Sequence, residues 1–116
     1  MALDSLDLAR NLFHALEEKK GEKILLLDIR MISTFTDYFI ICNGTSDRMI
    51  DSLAEEVIKV AKEKNGIQAR IEGKALAGWV LLDLGDVIVH LFSPDQRQFY
   101  RLEQLWEEGR VLLHLQ

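Results

Sequence analysis

The chain has 116 residues and a formal net charge of −5, from 14 basic and 19 acidic side chains. That length is typical of one domain, and a hydrophobic content of 48% is enough for one core. The acidic balance argues against free nucleic acid as the main partner, because binding to phosphates needs a basic surface. The single cysteine, Cys42, excludes a disulfide framework and a multi-cysteine zinc site, and it fits a reducing compartment.

No membrane span or targeting segment is expected from the sequence. No apolar run approaches the ~20 residues that cross a bilayer. Asp4 and Asp7 stand near the start of the chain, where a signal or transit peptide would carry basic residues. We therefore expect a cytoplasmic protein with no membrane partner.

The spacing of apolar residues predicts three helices and five strands. In the first helix, predicted over 4–20, Leu12, Phe13 and Leu16 fall on one face. Two runs that are apolar on both faces, 23–29 and 38–42, are typical of buried strands. The remaining predicted elements are a helix that ends at Asn65, an edge strand over 67–72, a hairpin of strands over 79–83 and 87–92, and a helix over 94–107.

This order of elements predicts an α/β fold, a single-domain sandwich in which a mixed five-stranded sheet is flanked by three helices. The last helix has Ser93 at its N-cap and Pro94 at its first position. It would present Phe99 and then Leu102, Leu105 and Trp106 to the core. We place the domain at 1–109 and treat 110–116 as a C-terminal tail. Three roles stay open for that tail: packing on the domain, adding a strand, or contacting a partner.

The turn Gly44-Thr45-Ser46-Asp47-Arg48 leads from a strand into a helix, and free N–H groups at such a point can bind an anion. The lysine and the glycine spacing of a P-loop are missing, however. Asp47 in the first helical turn would repel an anion. We therefore interpret Gly44 as a turn residue and Thr45 or Ser46 as a helix cap.

The order of strand, Gly-Thr-Ser and helix also occurs in nucleotidyltransferases, which hold metal ions on two carboxylates at i and i+2 of the next strand. Here that strand carries Arg70, Ile71 and Glu72, so the pair is missing. Asp83 and Asp86 lie three apart around a turn. They are better explained as turn residues, since Asp commonly bonds to nearby backbone. A metal-dependent enzyme is therefore the alternative reading.

The sequence provides no local catalytic group for a histidine or cysteine mechanism. No ligand-spaced neighbour accompanies any of the three histidines, and His90 is interpreted as a hydrogen-bonded core residue. Cys42 is interpreted as a small apolar filler. Trp79 is more informative, because it opens a strand after a glycine-flanked loop. It is either a core residue or an interface anchor, a role in which Trp is enriched.

Three segments of the chain resemble the ribosomal silencing factor family, whose members are also called Iojap-like. The resemblance spans nearly the whole domain, up to Trp106. Its most specific part is the stretch Gly-Trp-Val-Leu-Leu-Asp followed by Gly-Asp-Val and Val-His. The three segments are 36–48, which begins Thr-Asp-Tyr-Phe-Ile-Ile; 72–90, from Glu72-Gly73 to His90; and 97–106, which begins Arg-Gln-Phe-Tyr.

The resemblance implies a fold similar to nucleotidyltransferases without their catalytic acids, and a protein that is not an enzyme and needs no cofactor or metal. It implies binding to the large ribosomal subunit through that subunit's protein fourteen. A domain at that face would sterically block joining with the small subunit and repress translation under nutrient limitation. The net charge of −5 suits a basic partner, through steering and selectivity more than affinity.

We expect the docking surface of such a protein to lie on the strand that begins at Trp79 and on its neighbours. Trp79 would be the anchor, and Leu81 would share its strand face by two-residue alternation. A dimerising adaptor that uses the tail and an edge strand is a further alternative, and a homodimer is compatible with every reading. The expected contact residues are Gly73, Lys74, Trp79, Leu81, Asp83 and Asp86.

Overall fold

The computed structural model describes residues 4–101 and 109–115. In these residues the chain forms three α-helices, one 3₁₀ turn and six strands. Their order is α1 (Ser5–Glu18), β1 (Glu22–Asp28), β2 (Tyr38–Asn43), α2 (Asp47–Asn65), β3 (Arg70–Lys74), the 3₁₀ turn (Ala75–Ala77), β4 (Trp79–Asp83), β5 (Val87–Phe92), α3 (Pro94–Tyr100) and β6 (Arg110–Leu115).

The strands form one mixed sheet in the order β3-β4-β5-β2-β1-β6. Only the β2–β5 pair is parallel within this sheet, and the other neighbouring pairs are antiparallel. The predicted α/β fold with a mixed sheet is confirmed, and so are the β4–β5 hairpin and the edge position of the third strand.

The sheet has six strands where the sequence predicted five. The sixth is formed by the segment 110–115, which pairs antiparallel with β1. Leu113 lies opposite Leu26, and Leu115 lies opposite Ile24. Leu26 and Ile24 of β1 are fully buried, so the apolar residues of the tail pack beside buried apolar residues of the sheet.

The helices begin at polar caps that local sequence predicts. Asp4 accepts a hydrogen bond from the Leu6 N–H in α1, and Ser46 accepts one from the Met49 N–H in α2. Gly66 ends α2 with a φ of +66°, and the Ile67 N–H then bonds to the Ala61 carbonyl. That cap holds Ile67 against the core, so β3 begins at Arg70 and not at the predicted position 67.

The two faces of the sheet are covered differently. Helices α1 and α2 pack on one face, where Val80 and Leu82 of β4 point into the main core. A second, smaller core lies on the other face. Its buried members are Leu27, Ile29, Phe39, Ile41, Ile88 and Phe92, with Trp79 and Leu81 partly buried against them.

Helix α3 starts as predicted, with Ser93 accepting from the Gln96 N–H and Pro94 at the first helical position. Its expected core residue is wrong, because Phe99 is 76% exposed. None of the residues of this short helix is fully buried, although Tyr100 contacts Trp79 of the second core. Leu102, Leu105 and Trp106 lie outside the described residues. Among the helices of the described chain, none is long and apolar enough to span a membrane.

Candidate functional site

Three of the predicted contact residues share one face of β4. Trp79, Leu81 and Asp83 alternate with the buried Val80 and Leu82, so they point away from α1 and α2. The antiparallel register then places three β3 residues beside them on the same face. We call these six residues the Trp79 surface: Lys74 opposite Trp79, Glu72 opposite Leu81, and Arg70 opposite Asp83.

A shallow depression of about 270 Å³ lies within this surface. It is lined by Glu72, Gly73, Trp79 and Leu81. Three of these residues are predicted contact residues, and the fourth, Glu72, was not predicted from the sequence. Two-residue alternation identifies the face of a strand, but only the pairing of β3 with β4 shows that Glu72 lies opposite Leu81.

Gly73 is required by the backbone at this depression. Its φ is +86°, a conformation that side chains with a Cβ rarely adopt. A Cβ at this position would also lie 2.3 Å from the carbonyl oxygen of Trp79. The glycine therefore lets β3 approach β4 closely at the point where Trp79 begins its strand.

Trp79 combines the two roles that the sequence left open for it. Its indole packs against Phe92 of the second core, at 4.9 Å between ring centroids, and against Tyr100 of α3, at 4.5 Å. The residue remains partly exposed and lines the depression. Trp79 is therefore a half-buried aromatic residue whose side chain is already held by neighbouring rings, and residues of this kind commonly anchor interfaces.

The polar edge of Trp79 contacts His90. The indole Nε1–H donates to His90 Nδ1 over 3.2 Å. His90 is 4% exposed, and burial lowers the pKa of its imidazole to about 4. The predicted hydrogen-bonded core histidine is confirmed. Its partner is the tryptophan of the candidate surface, which the sequence did not indicate.

The two aspartates flank the turn between β4 and β5, and only the side chain of Asp83 has a described contact within it. Asp83 Oδ1 accepts from the Gly85 N–H over 2.8 Å, and the Asp86 carbonyl accepts from the N–H groups of Asp37 and Tyr38. Asp83 still belongs to the Trp79 surface, whereas Asp86 is exposed in the turn. No group of three or more potential metal-ligating side chains occurs among the described residues. The contact with Gly85 supports the turn interpretation of Asp83.

The remaining candidates also have structural roles. A Cβ on Gly44 would lie 2.7 Å from Ile50 Cγ1, so the turn into α2 needs a residue without a side chain there. Ser46 is the cap of that helix, as predicted. Burial raises the pKa of the Cys42 thiol to about 12, which keeps the thiol protonated and unreactive.

Comparison with known proteins identifies the family. A sequence model described as "Ribosomal silencing factor during starvation", RsfS, matches residues 2–115. The chain belongs to the RsfS family. The ribosomal silencing factor RsfS of Bacillus subtilis is 50% identical to it over 96 residues, which cover 82% of this chain and 80% of that protein.

Two further relatives extend the RsfS match. A crystal structure of a protein from Chromobacterium violaceum superposes with a TM-score of 0.86 at 32% identity, covering 97% of this chain and 92% of that one. The mouse protein named "Mitochondrial assembly of ribosomal large subunit protein 1" is 31% identical over 94 residues, 78% of this chain and 41% of its own. RsfS proteins are ribosome-associated silencing factors, not enzymes, and the expected family and class are confirmed.

Proposed function

We propose that this protein binds the large ribosomal subunit in the cytoplasm and sterically blocks its joining with the small subunit. The contact would be made with the subunit's protein fourteen, and the result would be repression of translation under nutrient limitation. The observation that carries the proposal is the RsfS match over residues 2–115. The mouse relative, whose name refers to assembly of the ribosomal large subunit, supports the choice of subunit.

The Trp79 surface is the proposed contact site. It has an apolar centre, Trp79 and Leu81, beside a depression that can receive a partner side chain. Charged residues of β3 and β4 surround that centre. An apolar anchor within a polar rim is the usual anatomy of a specific protein interface.

The proposed mechanism needs no chemical step. The described part of the domain extends over 38 × 32 × 24 Å, which is large enough to occupy space that the small subunit would need. The acidic net charge of −5 favours encounter with a basic ribosomal protein. Silencing would then follow from occupancy of the joining face alone.

The test is co-sedimentation of the purified protein with isolated large and small ribosomal subunits. Trp79→Ala removes the anchor, and Asp83→Lys reverses a charge within the Trp79 surface. Glu55→Lys is the matched control, because it makes the same charge change on the exposed side of α2. Chemical crosslinking of the bound complex identifies the ribosomal protein that is contacted.

We expect the protein to sediment with the large subunit only and to reduce the fraction of joined ribosomes. Trp79→Ala and Asp83→Lys should weaken sedimentation while Glu55→Lys does not. Absence of binding to either subunit would contradict the proposed function. Equal binding by all three variants would contradict the proposed surface, and a crosslink to another ribosomal protein would contradict the named partner.

A further inference from the structure

We propose that His90 is a positioning residue that holds the Trp79 indole in the orientation presented on the Trp79 surface. The hydrogen bond that would hold this orientation can be measured on the protein alone. Its consequence for docking rests on the proposed function. His90 itself is buried, so it would act on a partner only through Trp79.

The strand register places the two side chains side by side. His90 lies directly opposite Leu81, and Trp79 lies opposite Phe92, so Trp79 and His90 are diagonal neighbours on one face. The indole Nε1–H reaches His90 Nδ1 over 3.2 Å. The indole also packs against the Phe92 and Tyr100 rings, but its N–H group is directed by the hydrogen bond to His90. The hydrogen bond therefore supplies the directional constraint.

The proton on His90 can be assigned from this contact. Indole nitrogen only donates, so His90 Nδ1 must be the acceptor and Nε2 must carry the proton. Within the described residues, Nε2 is buried and has no hydrogen-bond partner. A buried donor without a partner destabilises a fold. An apolar ring could fill the same space without that cost.

This cost argues against a purely structural role for the imidazole. The hydrogen bond that comes with this cost goes to the indole of Trp79, a partly exposed residue of the Trp79 surface. The imidazole provides one fixed acceptor, Nδ1, for the indole N–H group. The surrounding Phe39 and Phe92 rings, at centroid distances of 4.8 and 6.1 Å, keep His90 dry and neutral, which preserves that acceptor.

Two substitutions separate the acceptor from the packing. His90→Phe keeps a ring and removes the acceptor. His90→Asn keeps an acceptor, since the amide oxygen of Asn stands where Nδ1 of His does. His14→Phe is the control, because it removes an exposed histidine on α1. Circular dichroism and thermal unfolding show that each variant is folded before it is compared.

The first readout is hydrogen exchange of the Trp79 indole N–H, measured by ¹⁵N NMR in a Trp106→Phe background so that a single indole signal remains. We expect roughly tenfold faster exchange in His90→Phe, and exchange close to the unsubstituted rate in His90→Asn and His14→Phe. The second readout is affinity for isolated large subunits. We expect it to fall about fivefold to tenfold in His90→Phe and to be largely kept in His90→Asn.

Unchanged indole exchange in His90→Phe would overturn the inference. So would full subunit binding by a folded His90→Phe variant whose exchange is faster, because the orientation of Trp79 would then not matter for docking. If the unsubstituted protein binds no subunit, the proposed function fails. In that case, faster exchange in His90→Phe would still support the inference that His90 positions the Trp79 indole.

Discussion

Arg97 of α3 donates a hydrogen bond of 3.0 Å from Nη1 to Oδ1 of the buried Asn43 at the end of β2. The same nitrogen donates to the Lys23 carbonyl at the start of β1. One guanidinium thus connects the short helix α3 to two adjacent strands. Since α3 buries none of its described side chains, this polar contact is a main attachment of the helix to the sheet.

We predict that Arg97→Ala lowers the free energy of unfolding by about 2 kcal/mol, because it leaves a 5% exposed asparagine without its donor. Urea denaturation measures the change. Arg48→Ala is the control, since Arg48 is exposed on α2 and its loss should change stability by less than about 0.5 kcal/mol. Equal effects of the two substitutions would contradict a specific role for Arg97.

Gly73→Ala should destabilise the protein more than Gly85→Ala does. Both glycines have a φ of +86°, so both alanines are strained by about 1 kcal/mol. The Gly73 alanine also meets the Trp79 carbonyl oxygen at 2.3 Å, whereas nothing lies within 4 Å of a Cβ at position 85. We expect an additional loss of about 1–3 kcal/mol at position 73 in urea denaturation. Equal losses would show that β3 can move away from β4 without cost.

Stability should depend on pH through His90. Its folded pKa is about 4, below the ordinary 6.5, so between these values the unfolded chain binds a proton that the folded chain excludes. The contribution of neutral His90 to the free energy of unfolding is fully present above pH 6.5 and is lost as the pH falls toward 4. The free energy of unfolding lost over this range is on the order of 3 kcal/mol, because the group is buried.

The check is urea denaturation of the unsubstituted protein and His90→Phe at several values between pH 7 and pH 4. As the pH falls, the free energy of unfolding of the unsubstituted protein should decrease more than that of His90→Phe. Asp28, whose pKa is lowered by its hydrogen bonds from Arg30, is present in both proteins and cancels in the comparison. Parallel curves would mean that His90 has the same pKa in the folded and the unfolded chain, which would contradict the prediction.

The last strand contributes to folding stability through its inner face. Leu113 lies opposite the buried Leu26 and packs against the main core, while Val111 is 55% exposed. We predict that Leu113→Asp costs about 2 kcal/mol and that Val111→Asp costs less than about 0.5 kcal/mol. Thermal unfolding with size-exclusion chromatography measures stability and oligomeric state together. A change in oligomeric state alone would instead favour an interface role for β6.

Element identity could be predicted because the responsible interactions are local. Ser46 and Ser93 cap helices a few residues away, and the left-handed Gly66 ends α2 within its own turn. These contacts depend on residues that are close in the chain. The alternation of β4 likewise placed Trp79 and Leu81 on one face without knowledge of the neighbouring strands.

The composition of the site could be predicted only in part, because it depends on pairing between distant segments. Glu72 reaches the depression through the register of β3 with β4, and His90 reaches Trp79 through the register of β5. Phe99 was expected in the core because it falls at an apolar position of the predicted helix, yet the residue is 76% exposed. Spacing shows which residues share a face but not what that face meets.

The sequence by itself determined the α/β class, the helix caps, the hairpin and the family resemblance, since each depends on short-range patterning or on motif residues. The tertiary structure alone decided that the tail forms β6, that the Trp79 carbonyl oxygen leaves no room for a side chain at Gly73, and that His90 accepts from the Trp79 indole. The physical reason is that strand pairing aligns residues far apart in the chain. A one-residue change in register would reverse which side chains meet.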